Sequence, residues 1–558
     1  MNEPHRRQRK ATRTRFGGST LVAGGIGLSR LAGLLREMVT SRVLGLSLAA
    51  DAFAAAARIP NLLQNLLGEG VLSASFVPVY SQMLEGDEAE AEAEANRVAG
   101  AVGALLLIVT GLAVLLLVVA ARPITAILAP GLSGEVYELA VEFTRIMAVG
   151  VGFLVMSAWC LGILNSHRSF FLPYAAPIIW NAAQIIALLF IWWRDWALED
   201  AARGLAIAAT VGGVLQLLIQ LPTVRRLTRG LRFRPDTHDP AVKDVRRRFV
   251  PAVLGRGVVQ ISAYLDLMLA TFLAAGALSA LFKAQMLYTL PVSLFAMSVA
   301  AAELPEMSRL VDEPAALVAR TRRSLDRIAF WMLLSAFVMV AAGDLVVGVL
   351  FQGGQFDATD GILVWFILGT YALGLPAIGA SRLLQNTCYA IGDTRGPAWI
   401  AAARVGIAAM IGVAVMFPLD RVIVGPDGLV GLGGLGALGP LDAEVRSLGD
   451  TVHLGAVGLA MGSAVGAWVE LTLLSSLVRR RLPGLGDPRT SLLAPALAAA
   501  GAFVLTAAVK LVAGPLPLFI EAAIVGFVAV AAYAVICFRT GVRDADLLLR
   551  PVRRIIWR

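Results

Sequence analysis

Cysteine and histidine are scarce. Three cysteines (Cys160, Cys388, Cys537) and four histidines (His5, His167, His238, His453) are spread over 558 residues. No paired spacing connects them, which excludes a disulfide framework or a Cys/His metal site as the organising feature. Charge is thin as well: 16% of residues are Asp, Glu, Lys or Arg, against about a quarter in soluble domains. That deficit, with 58% hydrophobic residues and a mean hydropathy of +0.75, excludes the string of soluble domains that length alone would suggest. Catalytic signatures are missing too. There is no nucleophile, base and orienter set and no G-x-x-x-x-G-K-[ST] loop, so an enzyme is not expected, nor a cofactor. "GLVGLGGLGALG", within residues 419–452, has no preceding strand, and a flexible Gly-rich loop is expected in place of a dinucleotide site.

What is present is apolar runs. A membrane-crossing helix needs about 20 mostly apolar residues. Fourteen candidates stand at 18–44, 51–84, 96–121, 136–165, 170–194, 201–224, 248–274, 278–309, 326–351, 360–391, 397–418, 453–479, 490–513 and 516–538. The chain therefore reads as an all-α polytopic membrane protein. The first 15 residues carry six Lys/Arg without a short apolar core and cleavage site, so the first span is expected to be retained.

Net charge is +9, and the basic residues cluster between spans. The basic N-terminus, the 225–248 connection with nine Lys/Arg, "ARTRRSLDR", "VRRRLPGLGDPR" and the tail "RPVRRIIWR" all fall on one side if there are fourteen spans. Lys/Arg mark the cytoplasmic side, so both termini are expected there, and the basic clusters fit anionic lipid headgroups better than nucleic acid.

Ionisable residues inside spans are functional candidates by default. These are Arg30, Arg36, Asp51, Arg58 and Glu69 in the first half, and Arg256, Asp266, Lys283, Glu303 and Arg382 in the second. Each also has a plain reading. Arg36, Arg58 and Lys283 could snorkel from helix ends. Asp51 could be a helix N-cap, Glu69 could pair with an arginine, and Glu303 and Arg382 could lie near interfaces. As a set, the cations outnumber the acids in the middle and external half. A basic interior suits an anionic cargo, because guanidinium groups match phosphate with forked donors. Pro60, Pro173, Pro177, Pro251, Pro291 and Pro376 interrupt spans, and such breaks expose backbone to a cavity.

Longer stretches carry a resemblance. "LSRLAGLLREMV" followed by "ADAFAAAARIPNLLQNLLGEGVLSASFVPVY" is similar to the N-terminal signature of the MurJ/MviN family of lipid II flippases, within the group of multidrug, oligosaccharidyl-lipid and polysaccharide exporters. "GILNSHRSFFLPYAAPIIWN", "VGGVLQLLIQLP", "FQGGQF" and "YAIGDTRGP" extend it over nearly the whole chain. The resemblance implies two six-helix lobes around a central cavity plus two C-terminal spans beside a lipid-accessible groove. On this sequence these become an N-lobe at 1–224, a basic linker at 225–247, a C-lobe at 248–480 and a C-terminal pair with basic tail at 481–558. It implies transfer of the undecaprenyl-diphosphate-linked peptidoglycan precursor across the bacterial inner membrane, with membrane lipids, an unidentified coupling ion and peptidoglycan synthesis enzymes as partners.

The family's cavity arginines fall on Arg30 and Arg36, and its acids on Asp51 and Glu69. With Arg58, Arg256 and Lys283 these form the expected substrate site, while Asp266, Glu303 and Arg382 are gating or coupling candidates. Four positions depart from the family pattern. Gln64 and Met286 occupy positions where the family often has arginine, Lys283 replaces a tyrosine, and Arg256 appears where an apolar residue is common. Relocation of the cationic cluster and an altered cargo both account for this exchange. A flippase for another polyprenyl-diphosphate saccharide, a drug exporter and a non-transporting wall-synthesis scaffold stay open. An integral glycosyltransferase would need an acidic base, for which Asp357 and Asp360 are weak candidates.

Overall fold

The computed structural model describes residues 4–85, 89–228, 230–425, 428–431, 436, 438–446, 451–512, 516–542 and 544–548; at 4–21, 23 and 255–263 it describes backbone alone. The chain forms two compact units, Met1–Met268 and Leu269–Arg558.

The first unit runs α1 (Pro4–Leu44), α2 (Leu48–Leu67), α3 (Glu69–Met83), α4 (Ala89–Val119), α5 (Ala121–Leu128), α6 (Gly134–Ser166), α7 (Phe171–Arg194), α8 (Leu198–Leu227) and α9 (Pro240–Ala270), the last crossing into the second unit. The second continues with α10 (Ala277–Pro291), a π-helical segment (Val292–Met297), α11 (Ser298–Arg309), α12 (Pro314–Ala341), α13 (Gly343–Phe351), α14 (Ala358–Ala372), α15 (Leu375–Ala390) and α16 (Arg395–Leu419). After it come β1 (Ile423–Gly425), β2 (Gly428–Val430), α17 (Ala443–Arg446), β3 (Val452–His453), α18 (Gly455–Arg481), α19 (Leu493–Val512) and α20 (Leu518–Arg539).

Among the described residues, 12 helical stretches are long and apolar enough to cross a membrane. With α1 and α9, which sit at the first and seventh expected spans, they match the fourteen runs read from the sequence. Leucines and valines such as Leu112, Leu115, Leu116 and Val119 stay exposed on these helices, as lipid contact requires. Phe190, Trp192, Trp193 and Trp196 cluster at the end of α7, the placement of aromatic side chains at a membrane–water interface.

Four expected spans are broken helices, the 326–351 span being α12 and α13, parted at Ala342. The 51–84 span is α2 and α3, parted at Gly68, where a Cβ would lie 2.3 Å from the Gln64 carbonyl oxygen. Only glycine lets the backbone fold that closely. The 278–309 span is α10, the π-helical segment and α11, the break following Pro291. Proline removes the backbone N–H that an α-helix needs there, and π-turns absorb such defects. The 360–391 span is α14 and α15, parted at Gly374, with Pro376 in the first turn of α15.

Within the first unit α6 is the central pillar. Its buried residues Trp159, Cys160, Ile163 and Leu164 meet Phe76 and Tyr80 of α3. The Tyr80 hydroxyl donates to Asn96 Oδ1 (3.1 Å) and lies 2.9 Å from His167 Nε2. Gln216 and Gln220 of α8 donate to Ser157 Oγ of α6 at 3.0 and 2.6 Å. Within the second unit α12, α15 and α18 share the core. Gly458, Gly462 and Gly466 give α18 a small-residue stripe against α16. A Cβ on Gly462 would come within 2.4 Å of the Ala408 carbonyl oxygen, and one on Gly458 within 2.6 Å of Met416 backbone. Small residues at four-residue spacing are how helices approach closely where lipid supplies no hydrophobic drive. The terminal helices are tied on by the Lys510–Asp344 ion pair (2.7 Å) and by the Tyr533 hydroxyl, which donates to the Phe330 carbonyl (2.9 Å).

The connection that contains the Gly-rich stretch carries a small sheet. β1 pairs antiparallel with β2 and with β3, in the order β2-β1-β3. Expected as part of a flexible loop, residues 428–430 instead form a strand, where Leu429 and Val430 pair with Val424 and Ile423 as strand-forming side chains beside the glycines.

Candidate functional site

In the first unit the charged site begins on α1. Glycines line its approach to α7: a Cβ on Gly25 would lie 2.8 Å from Tyr174 Cβ, and one on Gly33 would touch Asn181 Oδ1 at 3.8 Å. Arg36 sits on this helix with its side chain 18% exposed. Its guanidinium carbon lies 5.0 Å from the centre of the Trp180 ring on α7, and its Nη2 lies 3.7 Å from Glu37 Oε2. The aromatic face and the carboxylate together compensate a cation in an apolar helix. Six residues at 3.6 per turn place Arg30 about 120° round the helix from Arg36, and Arg30 is exposed.

On α2, Asp51 is buried and Arg58 half-buried, two turns apart on one face. Asp51 is not the N-cap. Ser47 fills that role, its Oγ accepting from the Ala50 amide (3.2 Å), and Asp51 follows within the first turn, where helix-dipole attraction favours a carboxylate. The Arg58 carbonyl accepts from the Tyr264 hydroxyl at 2.6 Å, fastening α2 to α9. Glu69 is exposed and opens α3, where the freed amide groups also favour a negative charge. Asp266 is half-buried on α9. The side chain of Arg256 lies outside the described residues.

In the second unit Lys283 is 2% exposed within α10. It is enclosed rather than snorkelling. Met286 lies one turn on and is half-buried. Glu303 of α11 accepts from Arg320 Nε of α12 at 2.5 Å, an ion pair between neighbouring helices. Arg382 is exposed, and its Nη1 donates to Gln385 Oε1 (3.2 Å). From there a chain leads inward: Gln385 Nε2 donates to Glu470 Oε1 (2.7 Å), and Arg404 Nη1 donates to Glu470 Oε2 (2.9 Å). Glu470 is 1% exposed. Asp357 and Asp360 form a reciprocal capping box at the start of α14, so backbone amides hold both carboxylates. That cap explains their presence without catalysis.

Sequence reasoning missed Glu37, Glu470 and Arg404. Each was visible as a charge inside an apolar run; the pairing of Arg404 with Glu470, 66 residues apart, was not. It also missed Trp180, which only the packing of α1 on α7 brings to Arg36.

The family model described as "Lipid II flippase MurJ" matches residues 40–426, more than half of the chain. The lipid II flippase MurJ of Burkholderia cenocepacia is 32% identical over 422 residues, covering 73% of this chain and 77% of that protein. A probable lipid II flippase MurJ of Bdellovibrio bacteriovorus is 29% identical, covering 86% and 84%. One of Vibrio cholerae is 31% identical, covering 72% and 77%. Among solved structures, a lipid II flippase MurJ in an inward closed conformation superposes with a TM-score of 0.70 at 20% identity, over 96% of this chain and 99% of that one. An inward-facing multidrug resistance MATE family transporter of the MOP superfamily superposes with a TM-score of 0.60 at 16% identity, over 82% and 95%. The shared architecture and the extent of the matches place this multi-pass membrane protein in the MurJ lipid II flippase family.

Proposed function

We propose that the chain is a lipid II flippase. It carries the undecaprenyl-diphosphate-linked peptidoglycan precursor across the bacterial inner membrane by alternating access of an N-lobe and a C-lobe. Both termini are cytoplasmic in this reading. The observation that carries it is Arg36, a mostly buried guanidinium in a membrane-spanning helix, set over the Trp180 ring and 3.7 Å from Glu37. A charge at membrane depth is costly to keep, and a fork-shaped donor there is matched to a diphosphate.

Arg30, Arg36 and Arg58 supply the N-lobe cations, with Asp51 and Glu69 orienting them between transport cycles. Lys283 and Arg256 supply the remainder, in place of the family arginines absent at Gln64 and Met286. Asp266, Glu303 and Arg382 are gating or coupling residues. The acids keep the empty site from holding a large unbalanced charge and weaken cargo binding enough to permit release. The sequence has no P-loop motif, so the drive is an ion gradient, the membrane potential or consumption of cargo on the far side.

Complementation of a strain depleted of its own lipid II flippase tests the reading. Wild type should restore growth. Arg36→Ala, present at normal levels in the membrane, should not, and Arg36→Lys should do so partly, because an ammonium lacks the forked contact. Growth rescued fully by Arg36→Ala would remove this residue from the site. The enclosed Lys283 favours one second reading, a different polyprenyl-diphosphate saccharide as cargo. Failure of wild type to complement, despite normal insertion, would support it.

A further inference from the structure

A cavity of about 760 Å³ opens on the first unit between α4, α6 and α8. Its volume is in the roughly 300–1,000 Å³ range of ligand sites. Its walls are apolar, with Val114 of α4, Phe153 and Met156 of α6 and Leu217 of α8. Along α8 it runs from Leu217 to Thr228, about 16 Å of helix. That is close to half of a hydrocarbon core of about 30 Å, the depth of one leaflet.

One end is different. There Arg225 lines the cavity, and Leu231 and Phe233 close it. Leu231 and Phe233 alternate in sequence with Arg232 and Arg234, which like Arg225 and Arg226 are exposed. Two glycines of α4 let this segment fold back. A Cβ on Gly100 would lie 2.2 Å from the Arg232 carbonyl oxygen, and one on Gly103 would lie 3.0 Å from the Phe233 ring. Phe233 then packs on Trp159, with ring centres 5.4 Å apart. Other arginines of this unit, including Arg97, Arg122 and Arg203, have carboxylate partners. Arg225, Arg226, Arg232 and Arg234 have none among the described residues.

We propose that this groove is a binding site for an anionic glycerophospholipid of the cytoplasmic leaflet. One acyl chain lies between α4, α6 and α8, and the headgroup phosphate is held by Arg225 with Arg226, Arg232 and Arg234. An apolar slot one leaflet deep, ending in several unpaired guanidinium groups, matches such a lipid at both ends. Basic pockets between membrane helices on the cytoplasmic side bind anionic headgroups. The site is separate from the charged residues of α1 and α2 and does not depend on which cargo the protein carries.

The purified full-length protein in detergent, with added phosphatidylglycerol or phosphatidylcholine of identical acyl chains, tests this by native mass spectrometry. Phosphatidylglycerol should bind at least tenfold more tightly. Arg225→Gln with Arg226→Gln should abolish that preference while leaving the weak phosphatidylcholine binding unchanged. Gly111→Leu should weaken both lipids at least fivefold. Gly111 lines the groove, and a Cβ there meets no atom within 4 Å, so the side chain fills the slot without disturbing the fold. Equal binding of the two lipids, or unchanged binding in either variant, would overturn the proposal. So would undecaprenyl diphosphate occupying the groove without competition from phosphatidylglycerol. None of these readouts involves transport.

Discussion

Replacing Glu470 with alanine removes the acceptor shared by Gln385 and Arg404. The carboxylate is 1% exposed and receives one donor on each oxygen, at 2.7 and 2.9 Å. Removing one member of a fully buried pair costs about 3–5 kcal/mol, most of it from the stranded partner. The Arg404 side chain is 21% exposed, so water reaches part of the abandoned charge. The expected loss is therefore lower, about 2–3 kcal/mol. Arg404→Leu alone should cost a similar amount by stranding Glu470. The double variant should recover more than half of the summed loss, because an apolar pair strands nothing. The assay is the melting midpoint of the detergent-solubilised protein, followed as the folded-protein peak in size-exclusion chromatography after heating. Strictly additive losses in the double variant would refute the reasoning and show that the two groups are solvated independently.

Further outcomes follow from other parts of the fold. Gly462→Leu should prevent accumulation of folded protein, because its Cβ would meet the Ala408 carbonyl at 2.4 Å; a monodisperse Gly462→Leu protein in chromatography would contradict the α16–α18 packing. Burial pushes the Asp420 carboxyl, just beyond α16, up to about 7 from an ordinary 3.8. The folded state then holds this proton more tightly than the unfolded chain, so stability should decline as pH rises from about 4 through 7 and level off above. Asp420→Asn should flatten that slope, and a melting midpoint that rises over this range in wild type but not in the variant would reverse the sign. Cysteine at Thr237 should be shielded from an impermeant thiol reagent in intact cells while cysteine at Leu429 reacts, and the opposite pattern would invert the topology.

The number and place of the membrane helices were legible because each is a long apolar run, and lipid permits few alternatives to a helix. The breaks within them were only half legible. Pro291 and Pro376 were visible as interruptions, but Gly68 shows its role only in the fold, where a Cβ would strike the Gln64 carbonyl. Candidate charges were legible as exceptions to the apolar pattern. Their partners were not, since Arg36 finds Trp180, and Arg404 finds Glu470, across separate helices. The groove on α4, α6 and α8 left no sequence signal of its own. It arises because Gly100 and Gly103 admit the basic segment that follows α8.

The central claim is that Arg36 acts on the diphosphate of a lipid-linked cargo. Its most direct measurement is transfer of fluorescent lipid II in proteoliposomes containing the purified protein, scored by how much label becomes accessible to an impermeant quencher on the far side. Wild type should expose the label, whereas Arg36→Ala, with an unchanged melting midpoint, should not exceed protein-free liposomes. Transfer by Arg36→Ala at the wild-type rate would contradict the account.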